Sequence, residues 1–312
     1  VNFGIMNQEY IQPNEWSIIE EGFDPELVKS SESLFSIGNG AMGQRANFEE
    51  TYTGETFQGS YIAGVYYPDK TRVGWWKNGY PEYFAKVINA PNWMGIKVEV
   101  NGTELDLHTC TSVKNFRREL NMKEGWYQRS FEATLPNGTE IAVESTRILH
   151  LNHDELGAIR YKVTPLNDTA EIVFTPYLDG GITNEDSNWD DQFWEISAIS
   201  SIESSAFIEA ETMKTNFKTC TYMHNHCTLN GTAVSLSLTE QNTNSRIGHT
   251  YEMNVDHGST FALEKLGGYI SGSSQGSNLL KSAKAVIQNG LEKGFDGLLE
   301  VQIQAWDEIW QM

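Results

Sequence analysis

The chain has 312 residues, of which 39% are hydrophobic and 12% aromatic, and this composition can bury a large core in one big all-β domain or in two ordinary domains. Its 42 acidic residues exceed its 22 basic residues, and a formal net charge of −20 repels nucleic-acid backbones and anionic lipid. We therefore expect no nucleic-acid partner, and the lack of an apolar run of transmembrane length predicts no membrane partner.

The cysteine content and the first residues bear on the compartment. Cys110, Cys220 and Cys227 give no disulfide framework, which favours a reducing, cytoplasmic location. The chain begins Val-Asn-Phe-Gly, without the basic and apolar regions of a signal peptide. Because the initiator Met is also missing, a removed export signal is the alternative.

The segment 33–50 is rich in glycine. Gly38, Gly40 and Gly43, with Asn39 between the first two, imply backbone torsions that a β-carbon resists. No Lys-Ser/Thr pair follows, so this is no phosphate-binding loop. The pattern predicts a tight, packed turn that is too irregular for a simple hairpin.

The middle of the chain is rich in strand signals. Residues 96–107 and 129–146 alternate apolar and polar positions on either side of an Asn-Gly pair, which is typical of hairpins with one solvated face. We expect type I′ turns at the three Asn-Gly-Thr sites, rather than glycan attachment there. Those sites are Asn101, Asn137 and Asn230, and the fourth sequon is Asn167. Further strands are predicted at 158–164, 170–176, 206–210 and 232–238. No βαβ alternation occurs, so the fold class is mainly β, a large antiparallel sandwich.

The pattern changes near residue 271. A Gly/Ser segment at 271–277 precedes a helical pattern over 278–289, which Gly294 ends. A second helix is predicted to present Leu299, Ile303, Trp306 and Trp310 on one face. We expect the two indoles to lack a covering surface within the chain. The predicted domains are thus a sandwich at 1–270 and linker helices at 271–312.

Two clusters of titratable residues admit functional interpretations. Cys220, His224, His226 and Cys227 are suitable zinc ligands in an unrecognised spacing, so we predict structural or surface roles and no metal. His150 and His153 are predicted to lie in a turn between strands. The acidic residues at 184–191 are interpreted as a solvated loop, with contact to another domain or subunit as the alternative.

Aromatic residues cluster at 66–83. Trp75 and Trp76 are candidates for stacking on a sugar ring, and core or interface packing is the competing interpretation. Trp189, Phe193 and Trp194, next to the acidic loop in the sequence, are predicted to anchor that loop rather than to form a sugar platform.

Several segments together resemble glycoside hydrolase family 65, and they keep the order of that family along nearly the whole chain. The matching segments are 33–50, 59–67, 89–96, 117–129, 158–167, 177–186 and 294–306. Ala46 departs from the glycine that is usual in the family after the arginine. Ala41 and Met42 replace a more usual Tyr-Leu pair.

The resemblance implies a β-supersandwich, then linker helices, then an (α/α)6 catalytic barrel. It implies inverting phosphorolysis, in which a glutamic acid protonates the leaving oxygen while inorganic phosphate, the co-substrate, attacks the sugar. That glutamate is expected beyond Met312, so no catalytic residue and no cofactor are predicted here, and the piece alone should be inactive. Asn39, Arg45, Trp75 and Trp76 are candidate residues of the substrate-pocket rim.

The resemblance also suggests partners and substrate. The expected partners are the barrel of the same polypeptide, a second copy in a homodimer and a disaccharide. Residues 184–186 and 193–194 look most like the maltose branch. Two alternatives stay open, a stand-alone carbohydrate-binding module and the N-terminal domain of a family trehalase.

Overall fold

A computed structural model describes residues 10–71, 81–184, 192–272 and 278–312. Trp75 and Trp76, the acidic residues 185–191 and most of the Gly/Ser segment, 273–277, lie outside the described residues.

The described chain is mainly β. Its strands are, in order, β1 (Ile11–Pro13), β2 (Ser17–Glu21), β3 (Ile37–Gly38), β4 (Met42–Gln44), β5 (Ser60–Ile62), β6 (Tyr66–Lys70), β7 (Tyr83–Val87), β8 (Ile96–Val100), β9 (Thr103–Glu104), β10 (Ser112–Asn121), β11 (Trp126–Thr134), β12 (Glu140–Leu149), β13 (Leu156–Pro165), β14 (Ala170–Asp179), β15 (Trp194–Ile202), β16 (Ser205–Thr212), β17 (Lys218–Leu229), β18 (Thr232–Ala233), β19 (Thr239–Asn242), β20 (Arg246–Val255) and β21 (Phe261–Ser271). The helices are α1 (Val28–Leu34) and α2 (Leu279–Trp310). No helix in the described ranges is long and apolar enough to cross a membrane.

Two large sheets dominate the architecture. Among described residues, an eleven-stranded sheet has the order β1-β2-β10-β11-β12-β13-β21-β17-β16-β15, with β18 beside β17. A five-stranded sheet has the order β19-β20-β14-β8-β9, and the smaller sheets are β3-β4-β5 and β6-β7. The strands of both large sheets pair antiparallel, as between β13 and β21 and between β14 and β20. The predicted antiparallel sandwich is confirmed.

The main core lies between the two large sheets. Ile159, Tyr161 and Val163 alternate along β13 and are fully buried on its inner face. Phe174 of the five-stranded sheet stacks on Phe261 of the large sheet, with ring centroids 4.8 Å apart. Burial of such apolar side chains from both sheets is the main force that holds a sandwich together.

Helix α2 covers part of the other face of the large sheet. Phe295 and Leu298 pack with Leu156 and Ala158 of β13, and Ile287 packs nearer the start of the helix. The helix is kinked at Gly294, whose φ of 63° and ψ of 175° are not helical. The predicted helices and the break between them at Gly294 are therefore confirmed.

The face predicted for the second helical segment is wrong by one position. The buried residues there are Phe295, Leu298, Gln302 and Ala305. Gln302 faces the sheet because its amide donates to the carbonyl oxygens of Gly125 and Leu149 and accepts from the Leu151 N–H. A pattern that counts only apolar residues misplaces a face whose central position is a hydrogen-bonded glutamine.

The Asn-Gly turns are of two kinds. Positive φ at both residues, 50° and 71° at Asn101-Gly102 and 49° and 78° at Asn230-Gly231, confirms type I′ geometry at these two sites. The third expectation is wrong, because at residues 137–138 the positive φ belongs to Gly138 (85°). Pro136 fixes its own φ at a negative value and so begins a different turn, which the Gly138 N–H closes onto the Leu135 carbonyl.

Two other local predictions are corrected. The strand expected at 232–238 is limited to Thr232–Ala233, beside β17. The glycine-rich segment, expected not to be a simple hairpin, is one, since Ile37 of β3 pairs with Gln44 of β4. Gly40 supplies the positive φ of 93° that this hairpin requires.

Candidate functional site

Asn39 holds the glycine-rich turn in place. Its Oδ1 accepts from the backbone N–H groups of Ala41 and Met42, at 3.1 and 2.9 Å. Its Nδ2 donates to the carbonyl oxygens of His150 and Asp154, each at 3.0 Å. Asn39 therefore links this turn to the β12–β13 turn, and its place on a substrate-pocket rim stays a prediction.

Arg45 holds a neighbouring loop. Its Nε donates to the Phe57 carbonyl at 2.7 Å, and its Nη2 donates to the Lys29 carbonyl at 3.0 Å. The guanidinium lies 5.0 Å from the centroid of the Phe57 ring and 3.9 Å from a carboxylate oxygen of Glu32. Gly59 makes room for this side chain, since a Cβ there would lie 2.2 Å from Arg45 Cδ. Its rim role also stays a prediction.

The aromatic residues that flank positions 75–76 in the sequence have different environments. Tyr66 and Tyr83, on β6 and β7, are exposed, whereas Tyr67 is buried against Phe193 at 4.6 Å between ring centroids. Trp194 is buried too, and its indole N–H donates to the Asn89 carbonyl at 2.7 Å. Phe193 and Trp194 are thus packed inside the domain, as an anchoring role requires.

A buried network of charges lies beneath the end of the 33–50 segment. Arg129 donates to both oxygens of Glu50, at 2.6 and 2.5 Å, and to Glu49 at 2.9 Å. Arg147 donates from Nε to Glu49 at 3.0 Å, and the Tyr161 hydroxyl donates to Glu50 at 3.1 Å. Burial opposes ionisation of Glu49, but Arg147 and Arg129 outweigh it and lower the pKa of this carboxyl to about 2.

Sequence reasoning missed this network, although a signal was present. Tyr127, Arg129, Phe131 and Ala133 occupy alternate positions of β11 and are all buried. An arginine in register with three apolar inward residues indicates a buried cation, which requires an anionic partner.

A polar cleft opens beside the network and has a volume of about 800 Å³. The name "polar cleft" refers here to the space bounded by Glu49, Glu50, Gln58, Asn92, Tyr177 and Arg246. Glu49 and Glu50, Asn92 and Tyr177 come from three different segments that carry the family resemblance. The fold thus brings separate motifs to one concave surface.

Tyr177 forms a fixed wall of the polar cleft. The Arg246 guanidinium lies 3.5 Å from the centroid of its ring. Gly95 permits this position, because a Cβ there would lie 2.0 Å from the ring. Lys265 lies behind and donates to the carbonyl oxygens of Gly95 and Tyr177 at 2.8 and 2.9 Å. Burial, with a further contribution from Arg246, lowers the pKa of Lys265 well below its usual range.

The cysteine and histidine residues of β17 do not converge. Cys220 packs toward α2 and Cys227 toward the main core, so their sulfur atoms lie on opposite faces of the large sheet. His224 shares a 2.8 Å hydrogen bond with Ser205 through Nδ1. In the described ranges no group of three or more His, Cys, Asp or Glu side chains could hold a metal ion. His150 lies in the β12–β13 turn as predicted, where its Nδ1 accepts from the N–H groups of Asn152 and His153.

Three tryptophans meet at the end of α2, and we call them the indole cluster: Trp16, Trp306 and Trp310. Trp310 lies 5.8 Å from Trp306 and 5.0 Å from Trp16 between ring centroids. Its indole N–H donates to the carbonyl oxygens of Met122 and Lys123, both at 3.2 Å. Trp306 packs on the β10–β11 turn, so the expectation of two uncovered indoles is wrong for Trp306. Trp310 is 46% exposed.

Comparisons with known proteins all point to the same family. The family described as "Glycosyl hydrolase family 65, N-terminal domain" matches residues 18–309. Maltose phosphorylase of Bacillus subtilis (strain 168) is 38% identical over 98% of this chain and 40% of its own length. The α,α-trehalose phosphorylase of Thermoanaerobacter brockii is 27% identical over 95% of the chain and 39% of its own length.

A solved structure shares the fold. The putative kojibiose phosphorylase from human microbiome superposes with a TM-score of 0.85 and 23% identity, over 97% of this chain and 39% of that one. The chain therefore spans about 40% of the length of the curated relatives compared above.

Proposed function

The chain belongs to glycosyl hydrolase family 65, matching the family's N-terminal domain, and from this we propose that it is the non-catalytic N-terminal domain of a disaccharide phosphorylase. The supporting observation is the 38% identity to a maltose phosphorylase that extends well beyond the matched part. We assign catalysis to an (α/α)6 barrel of the same polypeptide, where a protonated glutamic acid donates to the leaving oxygen and phosphate attacks the sugar with inversion.

The buried charges support a non-catalytic role. A general acid must carry its proton at the working pH, and its pKa therefore lies near neutrality. Glu49 has a pKa of about 2 and is ionised there. Glu50 accepts two hydrogen bonds from Arg129 and one from the Tyr161 hydroxyl, all inside the core. The two buried carboxylates are suited to holding the fold together.

The indole cluster is the surface that we assign to contact with the barrel. Trp310 is half exposed, and Ile309 and Met122 beside it are also exposed. Exposed apolar side chains that lie together are typical of interaction sites. Pairing of two copies and a cytoplasmic location remain predictions of the family resemblance.

Activity measurements on two proteins test the proposal. The full polypeptide should release β-glucose 1-phosphate from maltose only when phosphate is supplied, while the present chain should release neither this product nor glucose. Maltose is the first choice because identity is higher to the maltose phosphorylase than to the trehalose phosphorylase, 38% against 27%. Hydrolysis without phosphate would replace the phosphorylase with a hydrolase, and turnover by the chain alone would contradict the non-catalytic role.

A further inference from the structure

We infer that the polar cleft is a binding site for a neutral sugar, so that this domain recognises carbohydrate through its own residues. Its volume of about 800 Å³ falls within the range of roughly 300–1,000 Å³ typical of small-molecule sites. A mono- or disaccharide fits a space of this size.

The walls carry hydrogen-bonding groups that are free to meet hydroxyl groups. Gln58 and Asn242 line the cleft with exposed side-chain amides. Asn92 uses its Oδ1 on the Met94 N–H, which leaves its Nδ2 to donate. Tyr52 also lines the same space. Amides and hydroxyls both donate and accept, as does each hydroxyl group of a sugar.

The charges around the cleft favour a neutral ligand. Glu49 and Glu50 are matched by Arg129 and Arg147 directly behind them. Lys97 at the edge lies 3.1 Å from Glu99 and 3.8 Å from Glu104. These pairings leave little local charge to attract a cation, and the formal net charge of −20 opposes a phosphate group.

Arg246 supplies the strongest contact. The fully buried side chain of Glu50 receives three hydrogen bonds, from two Arg129 nitrogens and Tyr161, and fixes the wall beneath the cleft. The Arg246 guanidinium lies against Tyr177 and has no ionic partner in the described ranges, so it can donate. Hydrogen bonds to charged groups are stronger than those between neutral groups.

Contacts within the domain fix the walls of the polar cleft. Buried hydrogen bonds hold Glu49 and Glu50 in place. The Tyr177 ring packs between the Arg246 guanidinium and the backbone of Gly95. Side chains that are fixed before binding lose little conformational entropy when the ligand arrives.

Calorimetry and saturation-transfer NMR on this chain test the inference with glucose, maltose and trehalose. We expect saturable binding of at least one sugar. Asn242→Trp, at an exposed position on the rim, should fill the cleft and weaken binding at least tenfold, as should Arg246→Met. The matched controls Gln288→Trp, on the exposed face of α2, and Arg117→Met, on β10, should leave binding unchanged. Circular dichroism verifies that each variant is folded.

The outcomes separate this inference from the proposed function. The sugar site would be overturned if none of the three sugars bound saturably, or if Asn242→Trp bound sugar as tightly as the unchanged chain. Binding of inorganic phosphate in place of sugar would overturn it too. The choice of maltose rests on the proposed function, but glucose and trehalose test the cleft without it. The proposed function fails independently, through the phosphate requirement of the full polypeptide.

Discussion

Arg129 shows how one residue can organise the interior of this domain. It lies on the inward face of β11 and connects that strand to Glu49 and Glu50, about 80 positions earlier in the chain. Its guanidinium also lies 4.5 Å from the centroid of the Phe48 ring. A buried charge pair adds little to stability compared with apolar packing, but loss of one partner leaves the other charge buried and unmatched.

Replacement of this residue should therefore be costly. We predict that Arg129→Met lowers the free energy of unfolding by about 3–5 kcal/mol, because Glu50 loses both of its arginine hydrogen bonds inside the core. Arg117→Met, which removes an arginine from a partly exposed pair with Glu119, should cost less than about 1 kcal/mol. Urea unfolding of both variants measures the difference, and equal losses would contradict a special role for the buried network.

The lowered pKa of Glu49 should make the free energy of unfolding decrease at acidic pH. Its folded-state pKa of about 2 lies below the usual value of 4.5, so its contribution is fully present above pH 4.5 and is lost as the pH falls toward 2. The shift corresponds to about 3 kcal/mol. Urea unfolding between pH 5 and pH 2.5 should thus show a smaller loss of stability for Glu49→Gln than for the unchanged chain. Parallel pH profiles would show that Glu49 does not titrate in this way.

At the scale of elements, α2 is shaped by Gly294 and by Gln302. Gly294 has a φ of 63° and a ψ of 175°, a combination that is essentially restricted to glycine. The kink lets the segments on either side pack on different parts of the large sheet. Gln302 then satisfies three backbone groups near the β10–β11 and β12–β13 turns, and so fixes the second segment in register.

Two alanine substitutions in α2 should have opposite effects. Gly294→Ala should destabilise the chain by about 1–3 kcal/mol, since a side chain at this φ and ψ is strained even in open space. Gly297→Ala, three residues later within the regular helix, should stabilise it by up to about 1 kcal/mol because alanine favours helix. Thermal unfolding measures both. A destabilisation of equal size at the two positions would point to packing rather than backbone torsion.

At the scale of the whole molecule, the large sheet has two differently covered faces. The five-stranded sheet packs on one face through the main core, and α2 packs on the other. The end of α2 brings the indole cluster to the turns that connect neighbouring strands, close to the carbonyl groups of Met122 and Lys123. This placement leaves part of Trp310 exposed at one end of the domain.

Hydrogen exchange should reveal what covers that end. We predict that residues 306–312 exchange at least tenfold more slowly in the full polypeptide than in this chain, because the barrel would bury Trp310. Trp310→Ala should abolish most of that difference. Ile202→Ala removes another exposed apolar side chain, on β15, and should not change it. Equal exchange in the two proteins would place the barrel contact elsewhere.

The sequence by itself determined the fold class, because strands, turns and helices each have a recognisable pattern over a few adjacent residues. Alternating positions predicted the hairpin at 129–146, Asn-Gly pairs predicted the turns at Asn101 and Asn230, and Gly294 marked the break in the final helix. Each of these features depends on the backbone torsions and side-chain faces of a few adjacent residues. It can therefore be recognised without knowing which distant residues pack against it. The order of the family segments likewise determined the family.

Only the tertiary structure decided what the polar residues do. Glu50, Asn92, Tyr177 and Arg246 come from distant segments, and the packing of loops against strands β14 and β20 places them around one cleft. An apolar pattern could not identify Gln302 as a buried position, because its hydrogen-bond partners belong to two turns that are both more than 150 positions away. Hydrogen bonds and charge pairs act between atoms a few ångströms apart in space, and linear spacing carries little information about such distances.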